Sequence, residues 1–269
     1  MPVEKLGVKK FPPCILSCKM RFALLCACCF GAYQAAEVVV FGDSWGTEGK
    51  KAFQDMFDKR GVKVSINNVA VGGTTAKGWA EQPDALKKVM GPDTKHVWLT
   101  IGGNDAQADL PGCGTKCIPK CINETLANTK TFLDPAVAAY PAANIVQFGY
   151  DILIFDHFFG CAIKGALLMP DCKRDTTCVN TNFRHLQTDF VNKMGKYGGY
   201  KNHVPLDLAG AMQKAGGVAG ADIGKPVLSQ YSPPQFMQSN CIHANDEGFG
   251  HVFDAMWDQY FSKYYNATK

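Results

Sequence analysis

The sequence predicts an α/β fold: a three-layer α/β/α sandwich around a central, mostly parallel sheet of about five strands. Two observations predict it. Short β-branched runs alternate along the chain with segments whose apolar residues recur at three- and four-residue steps, the period of a helix. Such alternation places parallel strands side by side with helices on both faces. The composition agrees: 269 residues, 46% hydrophobic and 19% charged, are enough for one large globular domain.

The elements follow in order. "EVVVFGD" (37–43) reads as a first strand ending in a turn. "KKAFQDMFDKRG" (50–61) carries Phe53, Met56 and Phe57 at helical spacing and stops at Gly61. "VKVSINNVAV" (62–71) is a second strand, "PDALKKVMG" (83–91) a helix and "HVWLTIGGND" (96–105) a third strand. Residues 124–140 are helical with a break at Pro135, and "NIVQFGYDIL" (144–153) is a fourth strand. Residues 180–198 form an amphipathic helix, and "HVPLDL" (203–208) is a fifth strand. The closing helix, 246–265, repeats Phe249, Phe253, Met256, Trp257, Tyr260 and Phe261 at helical steps. Residues 106–122 and 154–180 are expected to be long loops. No repeat or linker divides the chain after residue 36, so one domain, 37–269, is expected.

Residues 1–36 read as a leader. Lys19 and Arg21 precede the apolar run "FALLCACCFGAY" and the small residues of "QAAE", the pattern of a secretory signal peptide. The run is too short for a membrane span, which needs about 20 residues; no other segment could span either. Met20 is an alternative start. Lys5, Lys9, Lys10, Lys19 and Arg21 against Glu4 account for the whole net charge of +4. The remainder is neutral, without the basic stripe that nucleic-acid binding requires.

Export explains the cysteines. Outside the leader stand Cys113, Cys117, Cys121, Cys161, Cys172, Cys178 and Cys241, enough for three disulfides and one odd thiol in an oxidising compartment. Cys172 and Cys178 flank a polar loop they could close. A zinc site at Cys113, Cys117 and Cys121 lacks a nearby histidine to complete it. Two sequons, at Asn123 and Asn266, fit a glycosylated surface. No metal or cofactor is implied, and a secreted monomer is expected.

Ligands of parallel sheets sit at the carboxyl ends of the strands. The first strand ends in "GDSWGTEGKK". A phosphate loop would need Ser or Thr after Gly49-Lys50, where Lys51 stands. Gly42-Asp43-Ser44-Trp45-Gly46 matches the Gly-x-Ser-x-Gly nucleophile elbow literally, but that layout puts strands and a glycine-rich loop before the serine, not after it.

A third pattern accommodates the order. "VVVFGDSWG", "NVAVGGTT", "IGGND" and "NCIH" resemble the four blocks of the SGNH (GDSL-type) hydrolases, which share a flavodoxin-like sheet. The resemblance spans nearly the whole region after the leader. It implies a carboxylic ester hydrolase with Ser44 as nucleophile and His243 as base. It assigns the oxyanion hole to the backbone N–H of Ser44, the backbone N–H of Gly73 and the side-chain amide of Asn104. Attack on an ester carbonyl creates a negative oxygen that needs such preorganised donors, and glycine at 73 permits close backbone approach. Trp45 and Trp79 flank these segments and are candidates for lining an acyl or sugar pocket, or for core packing.

One position departs from the pattern. The last block normally reads Asp-x-x-His, whereas Asn240 stands three residues before His243. An amide oxygen can orient the imidazole but cannot offset its charge, and an amide NH₂ facing the ring fixes the wrong tautomer. Asn240 or a backbone carbonyl could orient His243 in a Ser-His dyad; another carboxylate, Asp246 or Asp151, could substitute; or the acid is missing. The expected substrate is a lipid, a carbohydrate O-acetyl group or a small acyl ester. The alternatives are a catalytically weak carbohydrate- or lipid-binding module on the same fold, and an acyltransferase.

Overall fold

The computed structural model describes residues 35–155 and 159–265. The described residues belong to one compact unit. The leader lies outside the described residues, Ala35 and Ala36 excepted, as does the sequon asparagine Asn266.

Five strands, β1 (Val38–Gly42), β2 (Ile66–Asn68), β3 (His96–Thr100), β4 (Asn144–Phe148) and β5 (His203–Leu206), form one sheet in the order β2-β1-β3-β4-β5. Every pairing is parallel; Val38 stands beside Ile66 and His96, and Gly42 beside Thr100. The "about five, mostly parallel" of the sequence becomes five strands, all parallel. β1 and β3 are buried along their whole length, which is why they read as continuous apolar runs rather than alternating ones.

Ten helices among the described residues join the strands: α1 (Ser44–Glu48), α2 (Lys50–Asp58), α3 (Ala76–Ala80), α4 (Ala85–Val89), α5 (Gly103–Asp109), α6 (Ile118–Ala139), α7 (Phe159–Leu168), α8 (Thr176–Gly198), α9 (Ala211–Ala215) and α10 (Asp246–Gln259). Helices α2, α9 and α10 pack together as one layer; α3, α4, α6 and α8 make the other. The sheet contributes an aromatic to each. Trp98 meets Phe53 at 4.8 Å and Phe253 at 5.0 Å on the α2–α10 side, while Phe41 meets Phe132 of α6 at 5.4 Å on the other. None of the helices among the described residues is long and apolar enough to cross a membrane.

Four expectations need correction. β2 is three residues long, because Asn68 turns the edge strand: its Oδ1 accepts from Ala70 N–H at 3.1 Å and its Nδ2 donates to Gly46 O at 2.8 Å. α6 runs through Pro135 without ending there. Phe132, Leu133 and Ala136 are wholly buried, and that packing outweighs the one backbone bond proline forfeits. Residues 106–122 are not a loop: they hold the end of α5, a 3₁₀ turn at Gly114–Cys117 and the start of α6. Nor are residues 154–180, which contain all of α7. Its glycines weaken the helical signal in sequence, yet Gly165 is what seats the helix, since a Cβ there would lie 2.8 Å from Phe155 Cβ.

Three disulfides are present among the described residues: Cys113–Cys117, Cys161–Cys241 and Cys172–Cys178. The pair expected around the polar loop has formed. Cys121 is the odd thiol; it is buried, and burial pushes its pKa up to about 12, so it is a poor thiolate and a poor metal ligand.

Candidate active site

β1 delivers Ser44. Gly42 closes the strand at φ +132°, and a Cβ added there would lie 1.6 Å from Thr100 O. Only glycine lets the chain turn this close to β3. Asp43 then caps α1, its carboxylate accepting from Trp45 N–H at 3.1 Å, so Ser44 occupies the first helical position rather than the cap. That carboxylate is buried, accepts from Thr100 Oγ1 at 2.9 Å and takes the proton end of the Tyr150 hydroxyl. Burial pushes the pKa of Asp43 up, and pushes that of Tyr150 well above the usual phenol range. Tyr150 in turn accepts from Gly103 N–H at 2.9 Å. The ends of β1, β3 and β4 are thus joined through one buried hydroxyl.

The loop after β2 lies against the serine. A Cβ on Gly72 would stand 3.8 Å from Ser44 Cβ. Gly73 is in the left-handed region at φ +80° with open space beside it. Thr74 Oγ1 donates to Gly42 O at 2.9 Å and accepts from Trp79 Nε1 at 3.0 Å, strapping the loop to the β1 turn. Asn104, in the first turn of α5, donates from Nδ2 to Thr74 O at 2.9 Å and accepts from Gln107 Nε2 at 3.2 Å. Beside it, both oxygens of Asp105 accept from Ala76 N–H at 3.0 Å. Burial raises the pKa of Asp105 to about 6. Ser44, the Gly72–Gly73 loop and Asn104 are brought together.

His243 sits in a loop ahead of α10. A bridge between Met237 and Ala244 closes the loop, and Gln238 N–H donates to His243 O at 2.8 Å. Cys241, at φ +76°, is anchored to α7 by the disulfide from Cys161. His243 Nε2 lies 2.7 Å from Ser44 Oγ. On the other side of the ring, Asn240 Nδ2 lies 2.9 Å from His243 Nδ1. Asn240 Oδ1 accepts from the backbone N–H of Ile242 at 3.2 Å and of His243 at 3.0 Å, and its Nδ2 donates to Gln238 Oε1 at 2.9 Å.

The two candidate substitute acids are engaged elsewhere. Asp151 is buried at the end of β4, where it accepts from Ile152, Gly210 and Met212 N–H at 2.7, 2.5 and 2.9 Å and holds the start of α9. Asp246 is exposed at the start of α10 and faces Lys51 at 3.7 Å.

A narrow cleft is lined by Ser44, Asn104, Gln107 and His243. Its inner walls are apolar: Leu110, Leu153, Phe155, Leu168, Met169, Val179 and Phe183. Much of this wall, Phe155, Leu168, Met169 and Val179, comes from residues 154–180, which the sequence predicts as a loop. Trp45 and Tyr150 also line the cleft. Trp79 does not; it braces Thr74 and packs on Phe41 at 4.3 Å. The Asp43–Tyr150–Gly103 junction and the role of Gln238 escaped the sequence. "GYD" at the end of β4 was the available signal for the first.

No protein-family model and no curated protein matches the sequence. Solved structures do match its fold. A psychrotrophic esterase from Pseudoalteromonas sp. is similar with a TM-score of 0.51 at 15% identity, over 86% of this chain and 99% of that one. A lipase from a goat rumen metagenome gives 0.54 at 9% identity, over 83% and 97%. A protein from Parabacteroides merdae described as a GDSL-like lipase gives 0.52 at 11% identity, over 83% and 95%. At such identities the likeness is one of fold: a five-stranded parallel sheet flanked by helices, shared with structures described as esterases and GDSL-like lipases.

Proposed function

We propose that the protein is a secreted serine ester hydrolase acting through an acyl-enzyme. The observation that carries this reading is the 2.7 Å contact between Ser44 Oγ and His243 Nε2, within the distance proton transfer requires. Ser44 attacks the ester carbonyl, and His243 takes its proton and returns it to the leaving alcohol. The oxyanion is held by the N–H groups of Ser44 and Gly73 and the free N–H of the Asn104 amide. Water then attacks the acyl-enzyme with His243 again as base.

The apolar walls favour an aliphatic acyl group over an O-acetyl sugar, whose hydroxyls would find few partners among Leu168, Met169, Val179 and Phe183. Three disulfides fit the oxidising compartment that the leader implies. The test is hydrolysis of p-nitrophenyl acetate, butyrate and octanoate by the protein and by Ser44→Ala. Ser44-dependent turnover that rises beyond acetate is expected; equal rates for both proteins would overturn the reading. One observation favours a second reading, a weakened enzyme that binds acyl esters: the amide face that Asn240 turns to His243. Retained ester binding by Ser44→Ala without turnover in the parent would favour it. Ester formation in excess alcohol would mark an acyltransferase instead.

A further inference from the structure

Ser44 and His243 are 199 residues apart in sequence, and their contact has a neighbour one residue over on each side. Trp45 Nε1 donates to Ile242 O at 2.9 Å. The nucleophile turn and the base loop are therefore joined twice, by Ser44–His243 and by Trp45–Ile242. A single bond between two loops leaves them free to swing about it. A second bond at adjacent residues removes that freedom and sets the approach of the imidazole to the hydroxyl.

The indole is well placed to act as the fixed point. It is 3% exposed, stacks on Tyr150 at 4.9 Å and meets the edge of Phe249 in α10 at 5.2 Å. Tyr150 is itself held by Asp43, the cap of the helix that begins at Ser44. The ring cannot shift without disturbing the serine turn, the cleft wall or α10. A buried indole N–H needs an acceptor, and the one it has is the carbonyl immediately before His243. A Trp that merely filled core volume would need only its ring.

We propose that Trp45 is a positioning residue that sets the geometry of the Ser44–His243 pair through its N–H; this rests on the hydrolase reading above. The bond is worth little as stability, but proton transfer tolerates little misplacement, and an error of about 1 Å can cost about a hundredfold in rate.

The test replaces Trp45 with 3-benzothienylalanine, which keeps the ring shape and exchanges the N–H for sulfur, beside Trp45→Phe. Two measurements are made: kcat and KM on the ester series, and the ¹⁵N NMR signals of the His243 ring. The expected result is a kcat lower by about ten- to a hundredfold with KM within about twofold, and a displaced His243 Nε2 signal. Unchanged kcat with an unmoved signal, or a loss carried wholly by KM, would overturn the proposal. Should the parent protein show no Ser44-dependent turnover, the hydrolase reading fails on its own. The NMR comparison then decides alone: a displaced Nε2 signal supports the positioning role and an unmoved one overturns it.

Discussion

Asn240 turns its amide nitrogen, not its oxygen, toward His243 Nδ1, at 2.9 Å. The orientation is set by the backbone: Oδ1 is taken by the N–H groups of Ile242 and His243, which can only donate. Gln238 Oε1 fixes the other amide hydrogen. An N–H donated to Nδ1 would favour the tautomer that carries its ring proton on Nε2, facing Ser44. That tautomer cannot accept the serine proton. With the amide turned over, its oxygen would face Nδ1–H, at the expense of both backbone bonds. Asn240→Asp keeps those bonds on one oxygen and offers the other to Nδ1–H. We expect kcat to rise by at least about tenfold; for comparison, the reverse change in trypsin, the reference case for this effect, lowers it by about 10⁴. Steady-state kinetics on p-nitrophenyl butyrate checks this, and an unchanged or lower kcat would contradict it.

Gly42 and Gly73 make a contrasting pair. Both have positive φ, but a Cβ on Gly42 would collide with Thr100 O, whereas Gly73 faces open space. Gly42→Ala should fail to give folded protein. Gly73→Ala should fold, losing about 1–2 kcal/mol to the left-handed backbone, and lose kcat because its N–H moves. Asn104→Ala removes a proposed oxyanion donor outright, and a fall of about 10²–10³ in kcat is expected. Circular dichroism melts separate the folding effects from the kinetic ones.

The Cys161–Cys241 disulfide spans 80 residues and holds both a cleft wall and the His243 loop. Cross-linking so long a loop should stabilise the fold by about 3–4 kcal/mol. The double variant Cys161→Ala, Cys241→Ala should melt roughly 10 °C lower. It should lose activity well below its melting point, since the base loop loosens before the sheet does. Loss of stability with full kcat would place the bridge outside the site's geometry.

Asp105 carries a pH dependence of definite sign. Burial raises its folded pKa to about 6, above its unfolded value near 3.8. Between those values the folded state binds more protons, so this group destabilises the fold as pH rises from about 4 through 6. Asp105→Asn lacks the titration. Its stability relative to the parent should improve by up to about 3 kcal/mol between pH 4 and pH 7. His96 and His203 act oppositely: burial lowers both to about 4, so their contribution is full above about 6.5 and is lost as pH falls toward 4. Urea unfolding at a series of pH values measures the difference between variant and parent; a constant difference would contradict the assignment.

The strands and the four motif residues were legible because each rests on local signals: β-branched runs, glycine turns, and short polar blocks at strand ends. The rest depended on tertiary context. α7 was hidden in part by Gly165, whose missing side chain matters only against Phe155, and Pro135 read as a break because the buried stripe beside it cannot be weighed from sequence. The group behind His243 was the least legible. Asp151 and Asp246 were both eligible by position, and only the fold reveals that one caps α9 and the other faces Lys51.

Ser44, as a nucleophile paired with His243, should react with an active-site-directed phosphonate. The most direct measurement is intact-mass spectrometry after treatment with a fluorophosphonate, followed by peptide mapping. A single adduct on Ser44 is expected, absent from Ser44→Ala and slowed in His243→Ala. No adduct on the parent protein, or an adduct that persists in Ser44→Ala, would contradict it.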